Sequence, residues 1–235
     1  VSRSSRPRPV VAIDGPAGAG KSTVARRVAD TLGFVLVDTG AMYRAVALAA
    51  TRAKVPWEDG AAMGRLAEGL VERRALTFEP DPVRGVRIAL DSDDVTDAIR
   101  APAIGMGASN VSAHPQVRHA LLGLQRSAGH DGGVVLEGRD IGTVVFPDAE
   151  AKFFLTARPE VRAHRRHAEL VAKGVDVSFE DTLRDVQARD DQDTRRQTAP
   201  LKQAPDALLV DSSDMTVDEA VARIVDRVRA QSRAL

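Results

Sequence analysis

An α/β fold built on a parallel sheet, with helices on both faces, is the class this sequence predicts. Three observations carry that expectation. Short apolar runs recur along the chain at Val10 to Ile13, Phe34 to Val37, Val134 to Leu136, Phe153 to Leu155 and Leu208 to Val210. Each has the length and composition of a strand buried on both faces. Helical segments fall between the runs, and strand-helix alternation of this kind implies parallel pairing. The first run also ends in Asp14-Gly15, where a glycine-rich turn leads into a helix.

The elements follow in order. Val1 to Pro9 is rich in Arg, Ser and Pro and reads as a disordered tail, leaving residues 10–235 as a single domain. From Lys21 to Leu32, Val24, Val28 and Leu32 recur at i, i+4 and i+8, and Gly33 stops the helix. Thr39 is placed to cap the next helix, which runs through Ala50. Ala75 to Asp91 differs in character. Leu76 and Phe78, then Val86, Ile88 and Leu90, alternate with polar residues around a turn-rich Pro80-to-Gly85 segment. That is a hairpin with one wet face, read as a small insertion from about Val71 to Arg100. Further helices are expected after Pro115, near Glu160 to Lys173, over Phe179 to Arg189, and from Thr216.

Composition narrows the class. The chain has 235 residues, which suits one compact domain with a small insertion. Hydrophobic residues make up 43% but aromatics only 3%, so the core must be built from Val, Leu, Ile and Ala. Lys+Arg and Asp+Glu both count 33, a balance that argues against a general nucleic-acid coat protein. Cysteine is absent, which removes disulfides and thiolate metal sites and fits a reducing cytosol. No apolar run approaches the ~20 residues of a membrane span, and no signal peptide is visible.

Gly15-Pro16-Ala17-Gly18-Ala19-Gly20-Lys21-Ser22 fits G-x-x-x-x-G-K-[ST], the P-loop, with Thr23 directly after it. Glycines let the backbone curl so that its N–H groups point at phosphate oxygens, and the helix from Lys21 adds its positive end. Lys21 supplies a mobile charge for the β- and γ-phosphates, and Ser22 a hydroxyl for Mg²⁺. A chance match in a chain of this length is roughly a one-in-a-hundred event. The motif alone says only that a nucleoside triphosphate binds.

The P-loop context Ile13 to Thr23, with Asp38-Thr39-Gly40-Ala41-Met42-Tyr43-Arg44, closely resembles the bacterial cytidylate kinase family. So do Glu137-Gly138-Arg139-Asp140-Ile141-Gly142, running on to Ala149, and Arg189-Asp190-Asp191-Gln192-Asp193. The likeness extends from about Val10 to the last helix, and the antiparallel insertion matches it too. The resemblance implies a kinase that moves the γ-phosphoryl group of ATP directly onto CMP or dCMP, with Mg²⁺ as cofactor, in pyrimidine nucleotide metabolism. It implies a monophosphate-binding region at about 39–108 and a short lid at about 158–190. The partners expected are small nucleotides, with no nucleic acid and no membrane, for a cytoplasmic monomer.

The resemblance also assigns residues. Gly15 to Thr23 hold ATP, with Arg158 and Arg162 from the lid. Thr39, Arg44, Arg139, Arg189 and Arg196 face the CMP phosphate. Asp193 contacts the ribose, and Ser109, Arg118 and Asp140 the cytosine. Lys21, Arg139, Asp140 and Arg189 are the residues expected at the chemistry. Each has a plainer reading. Glu137 to Asp140 follow a buried run and so emerge at a strand's carboxyl end, where parallel sheets place ligands, yet they could form a surface turn with local ion pairs. Arg189, Asp193 and Arg196 at i, i+4 and i+7 share a face if the segment is helical, and could be an exposed ion-pair helix. Arg158, Arg162, Arg165 and Arg166 could be a solvated face paired with Glu169. Asp38 or Thr39 could simply cap a helix. His164 and His167 read as surface residues. Ser22 is the residue read for Mg²⁺, and Glu137 or Asp38 could steer the ion through water. The rivals are kinases for AMP, shikimate or dephospho-coenzyme A, and a P-loop switch protein that handles nucleic acid.

Overall fold

The computed structural model describes residues 6–81 and 85–232. The chain order begins with β1 (Val10–Asp14), α1 (Lys21–Leu32), β2 (Val35–Asp38), α2 (Thr39–Arg52), α3 (Gly60–Glu72), β3 (Leu76–Asp81), β4 (Gly85–Leu90) and β5 (Asp93–Asp94). It continues with α4 (Pro102–Ala113), α5 (Pro115–Ala128), β6 (Val134–Gly138), β7 (Ala151–Thr156), α6 (Pro159–Ala172), α7 (Phe179–Arg195), β8 (Leu208–Asp211) and α8 (Val217–Ser232). A 3₁₀ turn lies at Ala98–Arg100 and a π-type turn at Ile141–Val145. Two compact units result: Val1–Phe34 with Asp131–Leu235, and Val35–His130. The second contains the whole expected monophosphate-binding stretch and extends past it at both ends. Among the described residues no helix is long and apolar enough to cross a membrane.

In the first unit β1 lies between β6 and β7, parallel to both, and β8 pairs parallel with β7. Every residue of β1 and β6 is buried, as their unbroken apolar runs require. Each Val, Leu or Ile taken out of water there contributes about 1.5–3 kcal/mol before the entropy of ordering is subtracted. The register sets Asp14 beside Gly138. The loop leaving β1 and the loop leaving β6 therefore emerge side by side at the sheet's carboxyl end. Helices α1 and α8 pack on each other, α1 also along β6 and α8 against β7, while α6 packs on α7. Thr216 and Glu219 close the start of α8 as a capping box, the Thr216 N–H and Oγ1 reaching Glu219 Oε2 at 2.8 and 2.9 Å.

The expected disordered tail needs correction over its last residues. Residues 1–5 lie outside the described ones. Arg6 to Pro9 are anchored instead. Arg6 pairs with Asp148 (2.7 Å) and Glu150 (3.2 Å), and its guanidinium lies 5.2 Å from the Phe146 ring centre. Arg8 lies over the Phe34 ring (4.5 Å) and donates to the Gly33 carbonyl (2.6 Å). Cation–π contacts with scarce aromatics hold a segment whose composition alone reads as solvated.

In the second unit α2 packs on α4 and α3 on α5. The insertion forms a three-stranded antiparallel sheet, β3-β4-β5, in which Leu76 opposes Leu90 and Phe78 opposes Ile88. The apolar partners are those the alternation selects, with Leu76, Ile88 and Leu90 buried. The expected hairpin thus gains a short third strand, and the centre of its turn, residues 82–84, lies outside the described residues. Helices α3 and α4 were not expected. Gly, Ala and Ser blur the apolar period of α4, whereas Met63, Leu66, Ala67, Leu70 and Val71 of α3 do recur at helical spacing. Small residues are needed in α4 for close packing: a side chain at Gly107 would meet the Trp57 ring at 2.7 Å. Asp38, not Thr39, caps α2, its carboxylate accepting the Ala41 N–H at 3.2 Å, while Thr39 becomes the first helical residue and is buried.

Candidate active site

The glycine-rich loop leaves β1 and ends at the start of α1, with Gly20 as its N-cap in a left-handed conformation. Gly15 has φ +152°, and a Cβ there would sit 1.9 Å from the Leu155 carbonyl oxygen. Only glycine lets the loop pass that close to β7. Lys21 is buried, and its Nζ donates to the Pro16 carbonyl at 2.7 Å, folding the side chain back over the loop. Burial, then the Arg139 charge, pulls the Lys21 ammonium down to about 7 from 10.5, against Glu137, Asp193 and Asp14, which favour the charged form. A lysine in this state is poised to gain from an added anion.

Next to the loop stand the residues leaving β6. Ser22 Oγ donates to Glu137 Oε2 at 3.0 Å. Arg139 Nε donates to Asp193 Oδ2 at 2.7 Å, and Arg196 Nη1 to Asp193 Oδ1 at 3.4 Å. Burial raises the Asp193 carboxyl, but the charge and hydrogen bond of Arg139, then the charges of Arg196 and Lys21, outweigh it and hold the group below its usual range. Asp140 is buried and opens the π-type turn, its carbonyl accepting the N–H groups of Val144 and Val145. Turns of this kind occur often at functional sites.

Helix α7 is longer than expected, ending at Arg195 rather than near Arg189. Phe179, Thr182, Leu183, Val186, Arg189, Asp190 and Asp193 form its covered stripe, so Arg189 and Asp193 do share a face. Arg196 does not continue it. It is the C-cap with extended backbone (φ −62°, ψ 140°), and its Nε donates to the Ala199 carbonyl at 2.7 Å. The chain turns there because the helix has ended, yet the arginine still reaches Asp193.

The arginines expected in the lid divide. Arg162 is buried, and its guanidinium is taken up by protein: Nε to the Ala157 carbonyl (2.8 Å), Nη1 to the Ala17 carbonyl of the P-loop (3.1 Å), and a bidentate pair with Asp190 (2.9 and 2.6 Å). It braces the loop from α6. Arg158 is exposed and pairs bidentately with Asp214 at 2.9 and 2.7 Å. Arg166 pairs with Glu169, the plainer outcome for that face. His164 stacks on Phe179 with ring centres 4.2 Å apart, and His167 Nε2 lies 3.1 Å from the Val177 carbonyl.

In the second unit, α2 carries Thr39, Tyr43 and Arg44, α4 carries Ser109 and α5 carries Arg118. Arg118 is buried with its guanidinium 5.4 Å from the Tyr43 ring centre and Nη1 on the Ser112 carbonyl (3.2 Å). Gln125 Nε2 donates to the Tyr43 hydroxyl (3.4 Å). Arg44 Nη1 reaches the Ile99 carbonyl (3.4 Å) and passes over Gly105, where a Cβ would lie 3.2 Å from it.

The family model described as cytidylate kinase matches residues 11–230. The cytidylate kinase of Geobacter sulfurreducens is 47% identical, covering 100% of this chain and 98% of that protein. The cytidylate kinase of Cupriavidus necator is 50% identical over 92% of this chain and 94% of its own length. This chain belongs to the cytidylate kinase family. Among solved structures, an uncharacterized protein from Eubacterium ventriosum shares the fold at 13% identity, with a TM-score of 0.51 over 95% of this chain and 99% of that one.

Within this member of the cytidylate kinase family, the first unit brings together Lys21, Ser22, Glu137, Arg139, Asp140, Asp193 and Arg196. Two contributors escaped sequence reasoning. Asp14 was read only as part of a motif, although a carboxylate ending a fully buried strand must find donors. Asp190 carries no signal of its own beside Arg189, and only the fold shows that it faces Arg162. A hydroxyl and a carboxylate oxygen at the head of α1 suit Mg²⁺, which prefers few protein oxygens beside substrate phosphates. Among the described residues no group of three or more His, Cys, Asp or Glu could hold a metal ion.

Proposed function

We propose that this chain transfers the γ-phosphoryl group of ATP, taken as its Mg²⁺ complex, to CMP or dCMP, acting as a cytoplasmic monomer. The observation that carries the reading is that the phosphate-binding loop after β1 and Arg139 after β6 leave adjacent parallel strands, with α7 and its C-cap bringing Asp193 and Arg196 to Arg139. Two anion sites at neighbouring strand ends are what direct transfer between two phosphates requires.

In this reading residues 15–23 and Lys21 hold the ATP phosphates, and Ser22, with Glu137 behind it, holds Mg²⁺, which neutralises phosphate charge when bound. Arg139, Arg189 and Arg196 bind the acceptor phosphate together with Thr39 and Arg44. Asp193 takes the ribose, and Asp140, Ser109 and Arg118 read the cytosine. Arg158 contributes to ATP by exchanging its exposed Asp214 pair. Arg162 contributes by shaping the loop through Ala17. The acceptor oxygen attacks the γ-phosphorus in line, the bond from that phosphorus to the β–γ bridging oxygen breaks and ADP leaves, and Lys21 and the arginines stabilise charge on the equatorial oxygens. No phospho-enzyme forms.

The test is ADP release measured against CMP, dCMP, UMP, AMP, shikimate, dephospho-coenzyme A and nucleic acid. CMP and dCMP should lead, with UMP poorer by roughly 10⁴-fold in kcat/KM, because uracil sets a carbonyl against the Asp140 carboxylate and an N–H against the Arg118 donor. Equal use of CMP and UMP, or preference for another acceptor, would overturn the assignment.

A further inference from the structure

Two buried charged groups of the first unit have no role in the account above, Asp14 and Lys152, and Lys152 is paired with Asp206. Asp14 is 3% exposed and makes no ion pair among the described residues. Its two oxygens accept the backbone N–H groups of Ile141 and Gly142, each at 2.7 Å. These are the two residues directly after Asp140. We propose that Asp14 is a positioning residue for the acceptor, fixing the turn that presents Arg139 and Asp140 from the strand that also launches the P-loop.

The geometry is specific to a carboxylate. Two successive N–H groups converge on one side chain, one on each oxygen. An ionised carboxylate accepts on both, whereas an amide of the same shape accepts on one and presents N–H to the other donor. Hydrogen bonds to an ionised acceptor are short and roughly twice as strong as neutral ones. The turn is held from behind as well. A Cβ at Gly142 would lie 3.3 Å from Asp14 Oδ2 and 3.2 Å from Lys152 Cδ, so the backbone is wedged between the carboxylate and the lysine stem. Burial pushes the Asp14 carboxyl up to about 6, and the Asp140 charge adds to this. The N–H bonds from Gly142 and Ile141 and the Lys21 charge oppose the rise. The turn thus helps keep the carboxylate ionised, and the carboxylate keeps the turn in place.

The inference rests on the reading that Arg139 and Asp140 serve the acceptor, so its test has one arm that needs no substrate. In Asp14→Asn, amide hydrogen exchange of the peptide covering residues 139–145 should speed up in nucleotide-free enzyme. In steady-state assays KM for CMP should rise by about 10- to 100-fold, the loss expected of one or two charge-assisted bonds, while KM for ATP stays within about two-fold. Unchanged exchange overturns the anchoring. A rise in KM for ATP equal to that for CMP overturns the acceptor role and gives Asp14 to the P-loop. Faster exchange with unchanged CMP constants overturns it too, and an Asp140→Ala control then shows whether the acceptor map itself has failed. A melting curve confirms that Asp14→Asn is folded, and Gly142→Ala, which crowds the same contact, should move CMP and ATP constants with the same asymmetry.

Discussion

At the amino end of the first unit's sheet, Lys152 donates to both Asp206 oxygens (3.0 and 2.8 Å) and to the Pro147 carbonyl (2.5 Å). Close by, Arg6 pairs with Asp148 and Glu150, and Glu150 also accepts the Val10 N–H at 2.8 Å. At the carboxyl end Lys21 is as buried as Lys152, yet it makes no ion pair among the described residues and donates to a single carbonyl. One lysine is satisfied by protein. The other is held among carboxylates that attract it without closing on it. On the function proposed above, the difference separates charge paired within the fold from charge kept for a ligand. It falls where parallel sheets place ligands, beyond the carboxyl ends of their strands.

The largest way to break this comparison is to replace both lysines by the same residue. Lys21→Met should lower kcat by about 10²–10³-fold, the scale for losing one preorganised group that meets developing charge. Its melting temperature should stay equal to wild type or rise, because the change removes a desolvated cation that the fold pays to bury. Steady-state kinetics and thermal melts on one preparation check both. Retained activity, or a large loss of stability, would make Lys21 a structural lysine like Lys152.

How much of this was legible in the sequence depends on the kind of charge. The strands and the loop were, because Val10 to Ile13 and Val134 to Leu136 are apolar without interruption and the glycine spacing is rarely met by chance. Lys21 and Ser22 are readable from the P-loop spacing, and Arg139 from its place after a buried strand. The amino-end staples were not legible: Arg6 sits in a segment whose composition reads as solvated, and its partners are more than 140 residues away. The resemblance assigns Arg162 to ATP, and no local pattern announces which groups its guanidinium meets. The fold supplies it with Asp190 and two carbonyls. The face shared by Arg189 and Asp193 was readable from spacing, but the end of the helix at Arg195 was not, since no glycine or proline marks it.

A second test sharpens the contrast through protons. Lys21 is drawn down to about 7 in the folded chain from 10.5 when unfolded. Between these values the unfolded chain binds more protons, so the Lys21 contribution to stability rises with pH through that window and is least favourable below about 7. The slope is at most about 1.4 kcal/mol per pH unit, and urea melts at several pH values should show it for wild type and not for Lys21→Met. The same lysine predicts that ATP binding at pH 8 takes up a fraction of a proton, as the phosphates pull its pKa back upward. Titration calorimetry in two buffers of different ionisation enthalpy measures this. Zero uptake would mean that Lys21 is already fully charged before ATP arrives.

The smallest effect belongs to Lys152→Met. Methionine keeps most of the stem that packs against Gly142, so the turn after Asp140 should hold and kcat and both KM values should stay within about two-fold. What is lost is the bond to the exposed Pro147 and the pair with Asp206, whose side chain is 64% exposed. Water can replace the lysine on both, so the pair is worth about 1 kcal/mol or less. Burying an ammonium also has a cost that methionine avoids, which trims the loss further. Urea melts should therefore place Lys152→Met slightly below wild type and below Lys21→Met, the reverse of their order in activity. If Lys152→Met instead lost turnover with stability intact, the charge at the amino end would reach the chemistry through Gly142. The two ends of the sheet would then be one system rather than two.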